Sequence, residues 1–252
     1  MKLSRIISNQ NGTSRQRANA LIAAGRVTVN GQVCREPQQE VDRFASVTVD
    51  GAVIRHAAPA RYLMLNKPAG YLSATVDDTH PTVLDLFAPE LRAGLHIGGR
   101  LDRASTGLLI VTNDGNWSRR LTEPRIKIPK VYRVTTGAAI TAEAHRRFAE
   151  GIWFEYEQLR TSPAHIEQLA ECQARVTIYE GRYHQVKRMF HAVGNRVTSL
   201  HRESMGGIRL DPGLQPGQYR ELTAAEVASV AAADPVGTTL EHHCAPTSTS
   251  PV

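Results

Sequence analysis

The run Leu108-Leu-Ile-Val111 constrains this chain most: bounded by Gly107 and by Thr112-Asn-Asp-Gly115, it reads as a buried strand. Just ahead of it, Gly98-Gly-Arg-Leu-Asp-Arg-Ala-Ser-Thr106 sets one carboxylate, Asp102, between Arg100 and Arg103. Two flanking guanidinium groups predict an Asp102 held in its ionised form by nearby opposite charge. Gly98, Gly99 and Gly107 permit tight backbone turns around it. Charge and glycine content alone favour a salt-bridged surface loop over an active site, so the decision rests on the motifs that accompany this one.

From Arg61 to about Ala233, strand and helix patterns mix without regular alternation. That argues for an α+β domain with a mixed, largely antiparallel central sheet and against a doubly wound parallel sheet. At 252 residues and 41% hydrophobic content, the chain can fill a small and a medium core. The predicted division is a small domain over 1–56, a linker over 57–61 around Pro59, a larger domain over 62–233 and a disordered tail over 234–252. A formal net charge of +6 favours a polyanionic partner. Cys34, Cys172 and Cys244 are odd in number and far apart, with neither a disulfide framework nor a zinc spacing. With no apolar stretch near the ~18 residues of a membrane span and no signal-peptide pattern after Met1, the expectation is a cytoplasmic protein without a membrane partner.

In the first segment Leu3, Ile6 and Ile7 recur at helical spacing. Ser14 is a candidate N-cap for a second helix that carries Ala18, Leu21 and Ile22 on one side and ends at Gly25. Val27-Thr-Val29 and Gln32-Val33 flank Asn30-Gly31, and Val47-Thr-Val49 and Ala52-Val-Ile54 flank Asp50-Gly51, two tight-hairpin signals. Residues 1–60 hold eight basic and four acidic side chains, so four of the six net positive charges lie there. Arg15 and Arg17 open a helix whose N-terminal amides favour an anion, and with Arg26 they are the candidate phosphate contacts.

Two further segments carry candidate chemistry. In Lys130-Val-Tyr-Arg-Val-Thr135, strand alternation puts Tyr132 and Val134 on the apolar side. Ala174–Glu180 reads as a strand, Gly181 as a turn, and the following residues as a helix closed by Gly194. That helix has Val186, Met189, Phe190 and Val193 on one face and His184, Lys187, Arg188 and His191 on or near the other. The apolar stripe predicts packing on the sheet and the basic stripe an outlook on a cleft or on RNA. His184 and His191 lack a cysteine or carboxylate at ligand spacing, so no metal site and no cofactor is predicted. Lys67, at the end of Tyr62–Lys67, reads equally as a phosphate contact and as a solvated loop lysine. Thr223-Ala-Ala-Glu226 is a capping box for a last helix through Val227 and Val230.

Taken in order, Asn66-Lys-Pro68, His80-Pro-Thr-Val-Leu84, Gly99-Arg-Leu-Asp-Arg103, Tyr132-Arg-Val134 and Gly181-Arg-Tyr-His-Gln-Val-Lys-Arg-Met189 resemble the motifs of pseudouridine synthases. The likeness is to the branch that acts on small-subunit (16S) ribosomal RNA. Residues 1–56, with Ser14-Arg-Gln-Arg17 and Gly25–Gly31, resemble the S4-like RNA-binding domain that this branch carries. The resemblance implies isomerisation of a uridine in 16S ribosomal RNA or in a small-subunit assembly intermediate. In it Asp102 is the catalytic carboxylate, Tyr132 stacks on the target base, and Lys187 pairs with Asp102. Many relatives have Arg at the position of Lys187, which keeps Arg182 as a second candidate for that pairing. Arg100, Arg103, Arg182 and Arg188 are candidate RNA contacts, and a monomer is expected. Two other readings stand beside this one: a large-subunit uridine as target, and a non-catalytic ribosome-assembly factor on the same scaffold.

Overall fold

The computed structural model describes residues 1–10 and 12–231. It contains two compact units, Met1–Arg61 and a second that begins at Tyr62. The first unit runs α1 (Leu3–Gln10), α2 (Arg15–Ala23), β1 (Val27–Val29), β2 (Gln32–Cys34), β3 (Val47–Val49) and β4 (Ala52–Arg55). Its sheet has the order β2-β1-β3-β4. Both hairpins turn on residue pairs with positive φ, Asn30 (51°) with Gly31 (79°) and Asp50 (52°) with Gly51 (80°), as two-residue turns that match strand twist require. Ser14 caps α2 by accepting a bond from the Arg17 amide. Leu3, Ile6, Ile7, Ala18, Ile22, Val27 and Val47 form a core wholly within this unit.

The second unit continues with β5 (Tyr62–Lys67), a 3-10 turn at Val83–Leu86, α3 (Pro89–Arg92), β6 (His96–Ile97), β7 (Thr106–Thr112), α4 (Gly115–Thr122), β8 (Lys130–Thr136) and α5 (Ala142–Glu150). There follow β9 (Trp153–Phe154), β10 (Leu159–Arg160), β11 (His165–Ala170), β12 (Gln173–Ile178), α6 (Gln185–Ala192), β13 (Val197–Met205), β14 (Ile208–Arg209), β15 (Tyr219–Glu221) and α7 (Ala224–Ala231). The main sheet has the order β11-β12-β8-β13-β7-β5-β15, with β6 beside β7 and β14 beside β13. Among the described strand pairs of this sheet only β13 with β7 is parallel, so the fold is α+β with a mixed, largely antiparallel sheet.

Strands β5 and β7 are apolar on both faces because both faces are covered. Leu63, Leu65, Leu109 and Val111 pack with Phe148 of α5 and Val186, Met189 and Phe190 of α6. Met64, Leu108 and Ile110 pack on the other side with Trp117, Leu121 and Val230. Strand β8 alternates instead, with Tyr132 and Val134 buried while Val131 and Thr135 are half-buried and Arg133 is exposed. The capping box at α7 forms as the sequence predicts, the Thr223 amide donating to Glu226 and the Glu226 amide to Thr223 Oγ1. Helix α6 starts later than the basic stripe implied: His184 is its N-cap in a left-handed conformation. The tail over 234–252, with Cys244, lies outside the described residues. Among those residues no helix is long and apolar enough to cross a membrane.

Candidate active site

The loop between β6 and β7 crosses the place where β7 and β13 run parallel, and glycine lets it do so. Gly107 pairs with Arg202 in that register, and a Cβ at Gly107, where φ is 99°, would collide with the Arg202 carbonyl oxygen. The Ser105 amide donates to Asp102 O at 3.0 Å, closing a turn that presents Asp102. Ser73 braces the other end, its hydroxyl donating to Leu101 O at 2.7 Å and accepting from the Leu101 amide at 3.0 Å.

From α6, Lys187 donates to Asp102 Oδ2 at 2.8 Å. His184 Nε2 lies 3.3 Å from Asp102 Oδ1. The carboxylate therefore has a cationic side chain on one oxygen and an imidazole on the other, with about a quarter of its side chain open to solvent. The expected pairing with Arg100 and Arg103 does not occur. Both are exposed, and Arg103 turns back to donate from Nε to Gly70 O at 3.0 Å. Arg182 is spent on Glu180 at 3.2 Å and does not reach Asp102. Arg188 makes a two-toothed pair with Glu157, holding that carboxyl below the usual carboxylate range, and lies 3.8 Å over the Phe154 ring. Arg26 is likewise committed, to Asp50 through two bonds of 2.6 and 2.5 Å. Arg15 and Arg17 are exposed and make no ion pair among the described residues.

Two buried cations beneath the loop were missed as site residues. Lys67 is no solvated loop lysine. It is fully buried and donates to the carbonyls of Pro68, Arg103 and Ser105 at 2.9, 3.2 and 2.8 Å. Burial pushes its ammonium down to about 8, with Asp102 opposing that shift and Arg202 and Lys187 adding to it. Arg202, 1% exposed, donates to Leu108 O (2.8 Å), Gly99 O (2.9 Å) and Arg100 O (3.3 Å). It thus ties the loop's start to strand β7 at the loop's end. Directly across the β8–β13 pairing stands Tyr132, whose hydroxyl accepts from Arg202 Nη1 at 3.5 Å. The same nitrogen reaches Arg100 O, so one guanidinium links the tyrosine hydroxyl to the loop just before Asp102. Strand alternation was the available signal, since Leu200 points inward and Arg202 must follow it.

One carboxylate thus meets a lysine and an imidazole on a loop braced from beneath by two buried cations, one of which also bonds a tyrosine hydroxyl. Such a set can hold an ionised carboxylate ready to attack an electrophilic carbon or take a proton, with an aromatic group at hand. Among the described residues no group of three or more His, Cys, Asp or Glu side chains is arranged to hold a metal ion.

Comparison with known proteins bears on what reacts there. Residues 61–192 match the RNA pseudouridylate synthase family and residues 1–47 the S4 domain. The chain is 51% identical over 230 residues to the ribosomal small subunit pseudouridine synthase A of Pseudomonas aeruginosa, covering 91% of this chain and 100% of that protein. It is 45% identical, at the same coverage, to the protein so named in Escherichia coli K12. A solved structure described as a pseudouridylate synthase superposes with a TM-score of 0.67 at 36% identity, over 91% of this chain and 99% of the other.

Proposed function

Because the chain belongs to the RNA pseudouridylate synthase family, we propose that it converts a uridine of small-subunit ribosomal RNA to pseudouridine, acting as a cytoplasmic monomer. The reaction breaks the bond between ribose C1′ and uracil N1, turns the base while it stays bound, and joins C1′ to C5. The C5 proton leaves and N1 gains one, so product and substrate are isomers and no redox partner is consumed.

The observation that carries the reading is Asp102 held between Lys187 and His184 on a loop pinned by buried Lys67 and Arg202. Asp102 is the reactive carboxylate, and attack at C1′ and proton removal at C2′ both use it ionised. Lys187 pairs with it at 2.8 Å and aims it. Tyr132 stacks on the detached uracil; since its oxygen accepts from Arg202, its own proton is free to be passed on. A uridine in folded RNA must be flipped out of its stack, costing a few kcal/mol that stacking and phosphate contacts offset. Arg15 and Arg17 supply phosphate contacts, and Arg100 and Arg103, exposed beside Asp102, hold the flipped nucleotide.

The test is incubation of purified protein with unmodified small-subunit and large-subunit ribosomal RNA transcripts, followed by pseudouridine mapping. We expect one modified uridine, in the small-subunit RNA. Asp102→Asn keeps shape and should bind that RNA within about twofold while forming no pseudouridine, and Lys187→Met should form little. Turnover by pure Asp102→Asn would remove Asp102 from its role. Modification confined to the large-subunit transcript would overturn the target.

A further inference from the structure

One aromatic side chain beside the carboxylate has no use in the reaction as described. Tyr183 is 70% exposed, and its ring stacks on the His184 imidazole with centroids 3.9 Å apart and planes 18° from parallel. His184 in turn touches Asp102 through Nε2, so Tyr183 is one ring removed from the reactive group.

The backbone fixes this arrangement. In extended chain, successive side chains point to opposite faces, but His184 sits at φ 49°, ψ 30°, a left-handed conformation that a non-glycine residue holds only where its surroundings impose it. The Tyr183 carbonyl accepts from Arg188 Nη1 at 3.4 Å, and that guanidinium is itself locked by Glu157. Tyr183 is therefore an exposed ring on a rigid mount, with one face on the imidazole and the other open. Among the described residues its hydroxyl has no hydrogen-bond partner, so the ring is not held out for the sake of its polar end.

We propose that the Tyr183–His184 stack is a subsite for a nucleobase: the base next to the target uridine in single-stranded RNA. Flipping the uridine strips its neighbour of a stacking partner, and an open aromatic face receives any base because every base has a π-face. The stack stands where that neighbour arrives if the uridine is seated at Asp102, and the inference rests on that reading of Asp102.

The probes are nine-nucleotide single-stranded RNAs centred on the uridine that the wild-type protein modifies, intact or abasic at the position immediately 5′ or 3′ of it. Wild-type protein should bind one abasic probe about tenfold more weakly than the intact one, or ~1.4 kcal/mol. Tyr183→Ala should bind the intact probe about tenfold more weakly than wild type, with no further loss on that abasic probe. Tyr183→Phe, which keeps the ring, should recover wild-type affinity, and an unchanged melting temperature of Tyr183→Ala excludes misfolding. Wild-type affinity in Tyr183→Ala, or tyrosine and abasic losses that multiply, would overturn the subsite. A wild-type protein that forms no pseudouridine would instead count against the proposed function.

Discussion

At the scale of single residues, Lys67 and Arg202 decide how Asp102 is held. Lys67 titrates near 8 when folded against about 10.4 in an unfolded chain. Between those values the unfolded state retains a proton the folded state has released, so this group makes stability rise with pH across that window, by roughly 3 kcal/mol at most. Lys67→Met removes the slope. Denaturant unfolding of both proteins from pH 7.5 to 10 should show the wild type gaining on the variant, and a constant difference would contradict the burial argument. For Arg202 the issue is geometry. Its donors face carbonyls on both sides of the loop, which a lysine ammonium cannot span. Arg202→Lys should therefore cut turnover at least tenfold while leaving RNA affinity within about twofold. Single-turnover kinetics beside a binding titration would separate the two, and unchanged turnover would reduce Arg202 to a packing residue.

At the scale of elements, the proposed function puts the electrostatic hold on RNA at α2, and the ion pairs of the fold narrow which arginines are open to phosphate. Arg26 already has its carboxylate, Asp50, so a phosphate gains less from it than from Arg15 or Arg17. Replacing both Arg15 and Arg17 by Gln should reduce the slope of log affinity against log salt by about 1.4, at ~0.7 per phosphate contact on single-stranded RNA. Arg26→Gln should change it by well under half of that. Equal slopes for all three proteins would mean that α2 does not meet phosphate. Local pattern made much of this scale legible: Asn30-Gly31 and Asp50-Gly51 announce their hairpins, Ser14 its cap, Thr223 and Glu226 their box, and Tyr132 its inward face. Pairings between distant charges were not legible. Nothing in the spacing of Arg188 and Glu157, or of Arg202 and Gly99, shows that they meet, and Arg100 and Arg103 misled because adjacency in sequence is not adjacency of side chains. An expectation that every cation near a motif serves the ligand overlooks carboxylates and carbonyls brought in by the fold.

At the scale of the whole molecule, the two units have separate cores, so loss of the first should leave the second folded. A chain beginning at residue 57 should melt cooperatively, bind RNA with weaker salt dependence, and retain turnover at saturating RNA within a few-fold. Failure to melt cooperatively would mean that the second core is incomplete without the first unit. The parallel pairing of β7 with β13 has a consequence in time. Strands that lie side by side in the same direction need a long return path, and here residues 106–107 wait for residues 201–202. Closing so distant a contact is slow, and during synthesis at roughly 5–20 residues per second the Asp102 loop is made several seconds before the guanidinium that secures it. The first unit, built from neighbours in sequence, has no such wait. On the proposed function a nascent chain grips RNA before it can act on it, and in refolding experiments binding should recover ahead of catalysis.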